Sequence, residues 1–490
     1  MAKIDLTIYA EKLGHAVQRA RERNIIIPTF AQMKDPTLIP ASIQKELKTL
    51  ELWDVEPRNL FRITWKNEPK NEGGLHGGVN YLELPKSLTG VDARIIGLVG
   101  KWFPTGAHKV GAAYGCLVPR LVTGQFDPIH QKAVWPSTGN YCRGGAYDST
   151  LLACESIAIL PEGMSRERFE WLKTVSGEII ATPGTESNVK EIFDKCWELR
   201  ASGQDLVIFN QFEEFGNYLW HYDVTGHAME EVLKKELGNN GNYFGVALTT
   251  GSAGTIATGD YLKQKYPGSK VAVSEALQCP TLTYNGFGAH RIEGIGDKHV
   301  PWIHNLRNTD MAMAIDDNAV VSLARLFNEP VGQAYLIDQG VPAEVVSKLD
   351  LLGFSGVANL LSAVKMAKWY ELTDEDVVLT VFTDSMELYG SRLHEMNEEM
   401  GEYSSFDAVR DYHRWMMGMT TDATLELGYP DRKRIHNLKY YTWVEQQGKT
   451  YEEIQAQWYD PDYWLEIQSQ VPEIDALIEE FNHQVGLGNY

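Results

Sequence analysis

Cysteine is scarce in this 490-residue chain: five stand at positions 116, 142, 154, 196 and 279, and none falls in a CxxC spacing. An odd, scattered set excludes a disulfide framework and a cysteine-based zinc site, and makes a reducing cytoplasm the default environment. Positive charge is also short. Against 66 Asp and Glu there are 45 Lys and Arg, a formal net charge of −21. That balance excludes a protein whose main task is to grip a nucleic-acid backbone, which needs clustered positive charge. It also disfavours binding to anionic lipid. Small anions remain allowed, because local groups can hold them. No apolar run approaches the ~18–20 residues that cross a bilayer. The charged start MAKIDLTIYAEKLGHAVQRARERN lacks the apolar segment of a signal peptide. The nucleotide signatures GxxxxGK[ST] and GxGxxG are missing. His290, His299 and His304 have no metal-ligand spacing, so no metal is expected. Internal repeats and low-complexity tracts are absent as well.

What is there is ordinary globular composition, 43% hydrophobic and 23% charged. At ~100–200 residues per domain the length suggests two to four domains, or one large two-lobed enzyme. Residues 1–80 read as helices at both ends of a proline-broken stretch. They carry no chemistry and are expected to be a surface layer or subunit contact. From about residue 90, short apolar runs alternate with amphipathic stretches. The runs are RIIGLVG, KAVW, SIAIL, EIIATP, DLVIF, YFGVALTT, KVAVS and DVVLTVF. They are continuous rather than alternating, as strands buried on both faces should be. The rhythm predicts right-handed βαβ units, a parallel sheet and ligands at the carboxyl ends of its strands. Residues 396–490 are rich in Tyr, Trp and acids and show no buried strand. They are too aromatic for a disordered tail and are expected to be a folded helical extension.

Three loops carry chemistry. TTGSAGTIATGDYL (249–262) follows an apolar run and opens a helix, so small residues and a helix N-terminus can cup an anion such as a phosphate. A plain strand-to-helix turn looks the same. FPTGAHKVGAAYG (103–115) sets Lys109 among Gly106, Ala107, Val110, Gly111 and Ala112. Few polar neighbours can hydrate it, and a desolvated lysine becomes a nucleophile toward carbonyls. WPSTGNYCRGGAY (135–147) can offer hydroxyl, amide and backbone donors to a carboxylate, or simply cap a helix.

A buried lysine, a phosphate cup and a carboxylate cup together describe an enzyme that uses pyridoxal phosphate on amino acids. Here the chain resembles the fold type II pyridoxal-phosphate family. It looks most like the cysteine synthase/cystathionine β-synthase branch, with a lysine motif similar to that of tryptophan synthase β. The resemblance spans about residues 80–395. TGAHK is similar to the family's Schiff-base lysine motif and implies Lys109 in that role, with His108 either beside the phosphate or a core histidine. STGN resembles the asparagine loop. It implies Asn140 against the cofactor's ring hydroxyl, and Ser137, Thr138, Gly139 and Tyr141 around the substrate carboxylate. GSAGT resembles the phosphate loop, implying Gly251, Ser252, Ala253, Gly254 and Thr255. AHRIEGIGDKHVP (289–301) resembles the segment that puts Gly294, Ile295 and Gly296 near the cofactor. VVLTVFTDSMELYGSRL (377–393) resembles the strand whose serine faces the pyridine nitrogen, implying Ser385. FSGVANLL (354–361) is similar to a helix start in the same family.

The resemblance implies a mixed α/β fold of two lobes with parallel sheets flanked by helices. The catalytic core would span 81–395, with a small lobe at roughly 120–215 inserted in the large one. A homodimer is implied too. The implied activity is a lyase or transferase acting on the β-carbon of a small amino acid through an aminoacrylate, by β-replacement or β-elimination. Alternatives on the same fold are an ammonia-lyase or dehydratase, or a thiolase-like cleavage needing a partner subunit. An alternative of another class is a catalytically weak binding or assembly module. The chain also departs from the family. Val110 and Gly111 follow the lysine where charged residues are usual, and Tyr141 follows the asparagine where a small hydroxylated residue is usual. GGVNYLELP stands where Gly-Asn-Thr-Pro-Leu is expected. Tyr141 is expected to narrow the substrate pocket. Cys142 is expected to be a buried inert thiol, and Arg143 either meets an acidic substrate group or lies on the surface.

Overall fold

Runs buried on both faces have no solvent side to alternate toward, and all eight continuous apolar runs form strands. A computed structural model of the chain describes residues 3–69, 73–238 and 241–487. Its strands are β1 (Tyr81–Leu84), β2 (Arg94–Val99), β3 (Lys132–Pro136), β4 (Glu155–Pro161), β5 (Glu178–Thr182), β6 (Leu206–Ile208), β7 (Asn242–Thr249), β8 (Lys270–Ala276), β9 (Met311–Ile315), β10 (Asp376–Phe382) and β11 (Thr424–Glu426). They form a seven-stranded sheet in the order β1-β2-β10-β7-β8-β9-β11 and a four-stranded sheet in the order β5-β4-β3-β6. The inner strands of the large sheet are parallel, as is every pairing of the small one. In sequence, the small sheet falls wholly between β2 and β7.

The sequence pattern missed three strands. β1 and β11 are short antiparallel edges, where packing on one face leaves no continuous apolar run. β9 is the five-residue run MAMAI, whose Met and Ala are equally good helix formers. β11 gives residues 396–490 a strand, a half-buried edge rather than a core element. The run in β5 is not buried on both faces either, because β5 is an edge of the small sheet.

Residues 1–80 are not a surface layer. Helix Ala10–Glu22 buries Ala16, Val17 and Ala20, and Phe30, Met33, Leu60 and Trp65 enter the main apolar core. The C-terminal segment enters the same core through Trp443, Ile467, Ile474 and Phe481. The two ends also meet. The Asp475 carboxylate, in helix Val471–Val485, accepts from the backbone N–H groups of Phe30 (2.7 Å) and Ala31 (3.1 Å). That satisfies donors which the first turn of helix Phe30–Lys34 would otherwise leave open. Lys439 is buried, and its Nζ donates to the carbonyls of Trp302 and His304 and to Gln457 Oε1. Trp443 Nε1 donates to the carbonyl of Val300 at 2.8 Å. The aromatic end of the chain is thus bonded to the stretch that follows the Gly294–Gly296 turn.

Candidate active site

Four strand ends converge on one narrow cavity. β2 leads through a loop to Lys109, the first residue of helix Lys109–Thr123. β3 leads through Ser137 and Thr138 to helix Asn140–Leu151. β7 leads through residues 250–256 to helix Ala257–Lys265. β10 ends just before Thr383. These are carboxyl ends of parallel strands, where open α/β sheets bind ligands.

The cavity is lined by His108, Lys109, Ser137, Thr138, Asn140, Tyr141, Gly251, Ser252, Ala253, Gly254, Thr255 and Gly294 from the sequence motifs. Gly139, Ile295, Gly296 and Ser385 do not line it. Ser385 is buried, but the cavity is lined at the end of β10 by Thr383, two residues earlier. Seven further residues were not singled out in the sequence: Glu186, Gln211, Phe212, Thr249, Asp297, Asn359 and Thr383. Thr249, Asp297, Asn359 and Thr383 lay inside the quoted motifs. Glu186 and Gln211 sit in connections with no local signature.

Lys109 Nζ donates to Ser252 Oγ at 2.8 Å and to Gln211 Oε1 at 3.2 Å. Burial lowers its ammonium from the usual range to about 8, although Asp297 and Glu186 pull the other way. The unusual glycine after Val110 has a packing cause. A Cβ on Gly111 would stand 2.0 Å from the buried Trp220 indole, so a side chain cannot be placed there without moving it. His108 is fully buried against Trp65 and His221, with ring centroids 5.6 and 4.8 Å away. Burial and the Lys109 charge hold it well below the usual histidine range, so it is a neutral imidazole. Its Nε2 lies 3.3 Å from Thr383 Oγ1. His221 opens a π-helical turn, His221–Thr225, and bonds Thr225 Oγ1. Such turns are frequent at functional sites.

The loop after β7 has the form of an anion cradle. Ala253 has a left-handed backbone (φ +65°). A Cβ on Gly254 would stand 2.1 Å from Asn217 Oδ1. Ser252 Oγ already accepts from both Lys109 and Asn217, so its own hydrogen is free to donate. Thr250 Oγ1, Asn140 Oδ1 and Asn217 Oδ1 are buried without a partner. The free Ser252 hydrogen and the unpartnered Thr250 hydroxyl, in a loop of small residues, fit a phosphorylated cofactor, whose phosphate accepts hydrogen bonds.

A polar network closes one side. Asn140 Nδ2 and Tyr389 Oη both donate to Asp384 Oδ2 at 2.6 Å. Arg168, fully buried, donates to Tyr389 Oη and to the carbonyl of Thr138, and pairs with Glu293 at 3.0 Å. Asp384 is therefore a structural partner of Asn140 and not only a neighbour of Ser385. Tyr141 is buried with its ring edge-on to Trp135. Arg143 neither reaches the cavity nor lies on the surface. Its guanidinium is buried over the rings of Trp171 (4.6 Å) and Trp53 (5.5 Å), and burial lowers it to about 10. Cys142 is buried and donates to the carbonyl of Gly139, and burial pushes its thiol up to about 12. All five cysteines are free. A larger cleft of about 890 Å³, near Arg19, Arg23 and Cys154, shares no residue with this cavity.

A buried, desolvated lysine beside a loop of small residues at the ends of parallel strands is an arrangement that suits an enzyme with an aldehyde cofactor. Residues 102–384 match the family described as pyridoxal-phosphate dependent enzyme, and the chain belongs to that family. Pyridoxal phosphate is its cofactor. The chain is 28% identical to a probable cysteine synthase of Bacillus subtilis over 58% of its own length and 85% of that protein. It is 25% identical to cystathionine β-synthase of Saccharomyces cerevisiae over 63% of its own length, and spans only 59% of that relative. In fold it is similar to a hydrogen sulfide-producing enzyme of Fusobacterium nucleatum, with a TM-score of 0.54 and 22% identity over 64% of this chain and 97% of that one. No helix among the described residues is long and apolar enough to cross a membrane.

Proposed function

We propose that the chain eliminates or replaces the β substituent of a small amino acid, as a homodimeric cytoplasmic enzyme whose core spans 81–395. One observation carries this reading: Lys109 Nζ lies buried, 2.8 Å from Ser252 Oγ, where the cradle and the asparagine loop meet. Similarity to a cystathionine β-synthase and a probable cysteine synthase supports chemistry at the β-carbon.

Bound pyridoxal phosphate supplies the electron sink that lets bonds at Cα and Cβ break. The backbone of Gly251–Thr255 and the Ser252 hydroxyl would hold the phosphate. Lys109 would hold the cofactor, and its Nζ would serve as the base for the Cα proton. An amine lowered to about 8 is matched to that task near neutral pH. Asn140, fixed by its donation to Asp384, would lie beside the cofactor ring. Thr383, which lines the cavity where Ser385 does not, would present a neutral hydroxyl to the cofactor ring. A neutral hydroxyl there would not favour ring protonation as a carboxylate does, which would suit elimination across Cα and Cβ. Ser137 and Thr138 orient the substrate carboxylate, with Gln211 Nε2 donating to Ser137 Oγ at 3.3 Å.

Lys109→Ala tests the reading. The purified variant is expected to lose the visible cofactor absorbance. It is also expected to lose turnover in an amino-acid panel read for keto acid, ammonia and sulfide. Normal turnover in that variant would sink it.

A further inference from the structure

Two carboxyl groups face the cavity with no part in holding the cofactor. Glu186, 3% exposed, accepts a hydrogen bond from the Thr138 hydroxyl through Oε1. Its Oε2 is buried without a partner. Asp297, 6% exposed, follows the Gly294–Gly296 turn, and its Oδ2 also has no partner. Both line the same cavity. Thr138 belongs to the loop proposed to take the substrate carboxylate, so Glu186 stands at the substrate end rather than the phosphate end.

The charges around these acids do not balance. Lys109 is the one lysine or arginine among the residues lining the cavity, and it is committed to the cofactor. Arg168 attracts Glu186, but it does not line the cavity and its terminal nitrogens go to Thr138, Tyr389 and Glu293. Burial pushes Glu186 up to about 8 and Asp297 up to about 7, as expected of carboxyls short of counter-charge. A buried carboxylate without a partner is costly, and an arriving cation removes the cost. An ester substituent has no hydrogen to donate to either acid, and a hydroxyl can donate to one of them but brings no charge. Glu186 also lines a second cavity of about 220 Å³, together with Glu293, Glu395, Glu399, Arg291 and Arg392.

Resting on the pyridoxal-phosphate reading above, we infer that the substrate is an amino acid with a cationic nitrogen on its side chain, held between Glu186 and Asp297. Its α-carboxylate lies against neutral donors, and the side-chain cation supplies the charge that the two acids lack.

The test titrates the cofactor-loaded protein at pH 7 and reads the visible cofactor band. The probes are L-2,3-diaminopropionate and L-2,4-diaminobutyrate, against L-serine and L-homoserine. At least one basic probe is expected to bind about tenfold or more tighter than its hydroxyl counterpart, and Glu186→Gln or Asp297→Asn is expected to erase most of that ratio. Equal or weaker binding of both basic probes overturns the inference on wild-type protein alone. A ratio unchanged in both substituted proteins overturns it as well, and makes the two acids protonated structural groups. A wild-type protein that never shows a visible band overturns the cofactor reading itself, and this inference falls with it.

Discussion

Lys109 Nζ donates to Ser252 Oγ across 2.8 Å, joining the loop after β2 to the loop after β7 over 143 residues of sequence. One hydroxyl thereby ties the lysine to the cradle, and it also accepts from Asn217.

Ser252→Ala removes both contacts and a donor to the cofactor phosphate. A hydrogen bond to a charged group contributes about 1.5–3 kcal/mol. Cofactor affinity is expected to fall by about ten- to a hundredfold. Visible absorbance retained during graded dialysis measures this.

The Lys109 amine must be neutral to capture an aldehyde. Burial penalises its ammonium and lowers the group to about 8. The neutral fraction therefore falls with decreasing pH below that value, by about tenfold per unit, and is nearly complete above it. Cofactor capture by the stripped protein, followed by stopped-flow absorbance, is expected to speed up from pH 6 to about 8 and then level. A rise that continued to about 10, the range of an exposed lysine, would contradict the desolvated site.

Thr383 and Ser385 make opposite predictions. Thr383→Ala removes a cavity hydroxyl that touches His108. It is expected to shift the visible band and to lower turnover by about ten- to a hundredfold, the effect of losing one positioned polar group. Ser385→Ala changes a buried residue outside the cavity and is expected to leave the band in place.

Gly111→Ala puts a Cβ 2.0 Å from the Trp220 ring, which is fully buried and has nowhere to move. Overpacking of this kind costs about 1–3 kcal/mol. A lower thermal midpoint is expected, along with weaker cofactor binding, because residue 111 is two positions from Lys109.

Trp443→Ala tests whether the C-terminal segment is part of the core. The indole is fully buried and donates to the Val300 carbonyl. Loss of a buried aromatic of this size costs about 3–5 kcal/mol. Urea unfolding should show that loss. A change below about 0.5 kcal/mol, typical of surface substitutions, would show that the segment is a detachable appendage.

The positions of eight strands and the three chemical loops were legible in the sequence because each rests on a local cause. Burial on both faces writes a continuous apolar run, and close backbone approach to an anion writes a cluster of glycines and small hydroxyl residues. Lys109, Asn140 and the Gly251–Thr255 loop could therefore be named from short motifs. β1, β9 and β11 could not, since a short edge strand or a Met/Ala run carries no period that separates strand from helix.

What only the tertiary structure decided depends on distance through space. Whether Thr383 or Ser385 lines the cavity turns on where β10 ends, and two residues in one motif look alike in sequence. Arg143 was open between substrate and surface until Trp53 and Trp171 enclosed it. Residues 1–80 and 396–490 gave no sign of their partners, because the core they complete is built from both ends of the chain at once. The same holds for Glu186 and Asp297. Each is an ordinary acid in its own segment, and only folding brings them to one cavity, removes their water and leaves an oxygen of each without a partner. The sequence by itself determined which cofactor the site holds, since that chemistry is written in contiguous motifs. Long-range packing decided which charges face the substrate, since desolvation and pairing are properties of neighbours that the chain order does not contain.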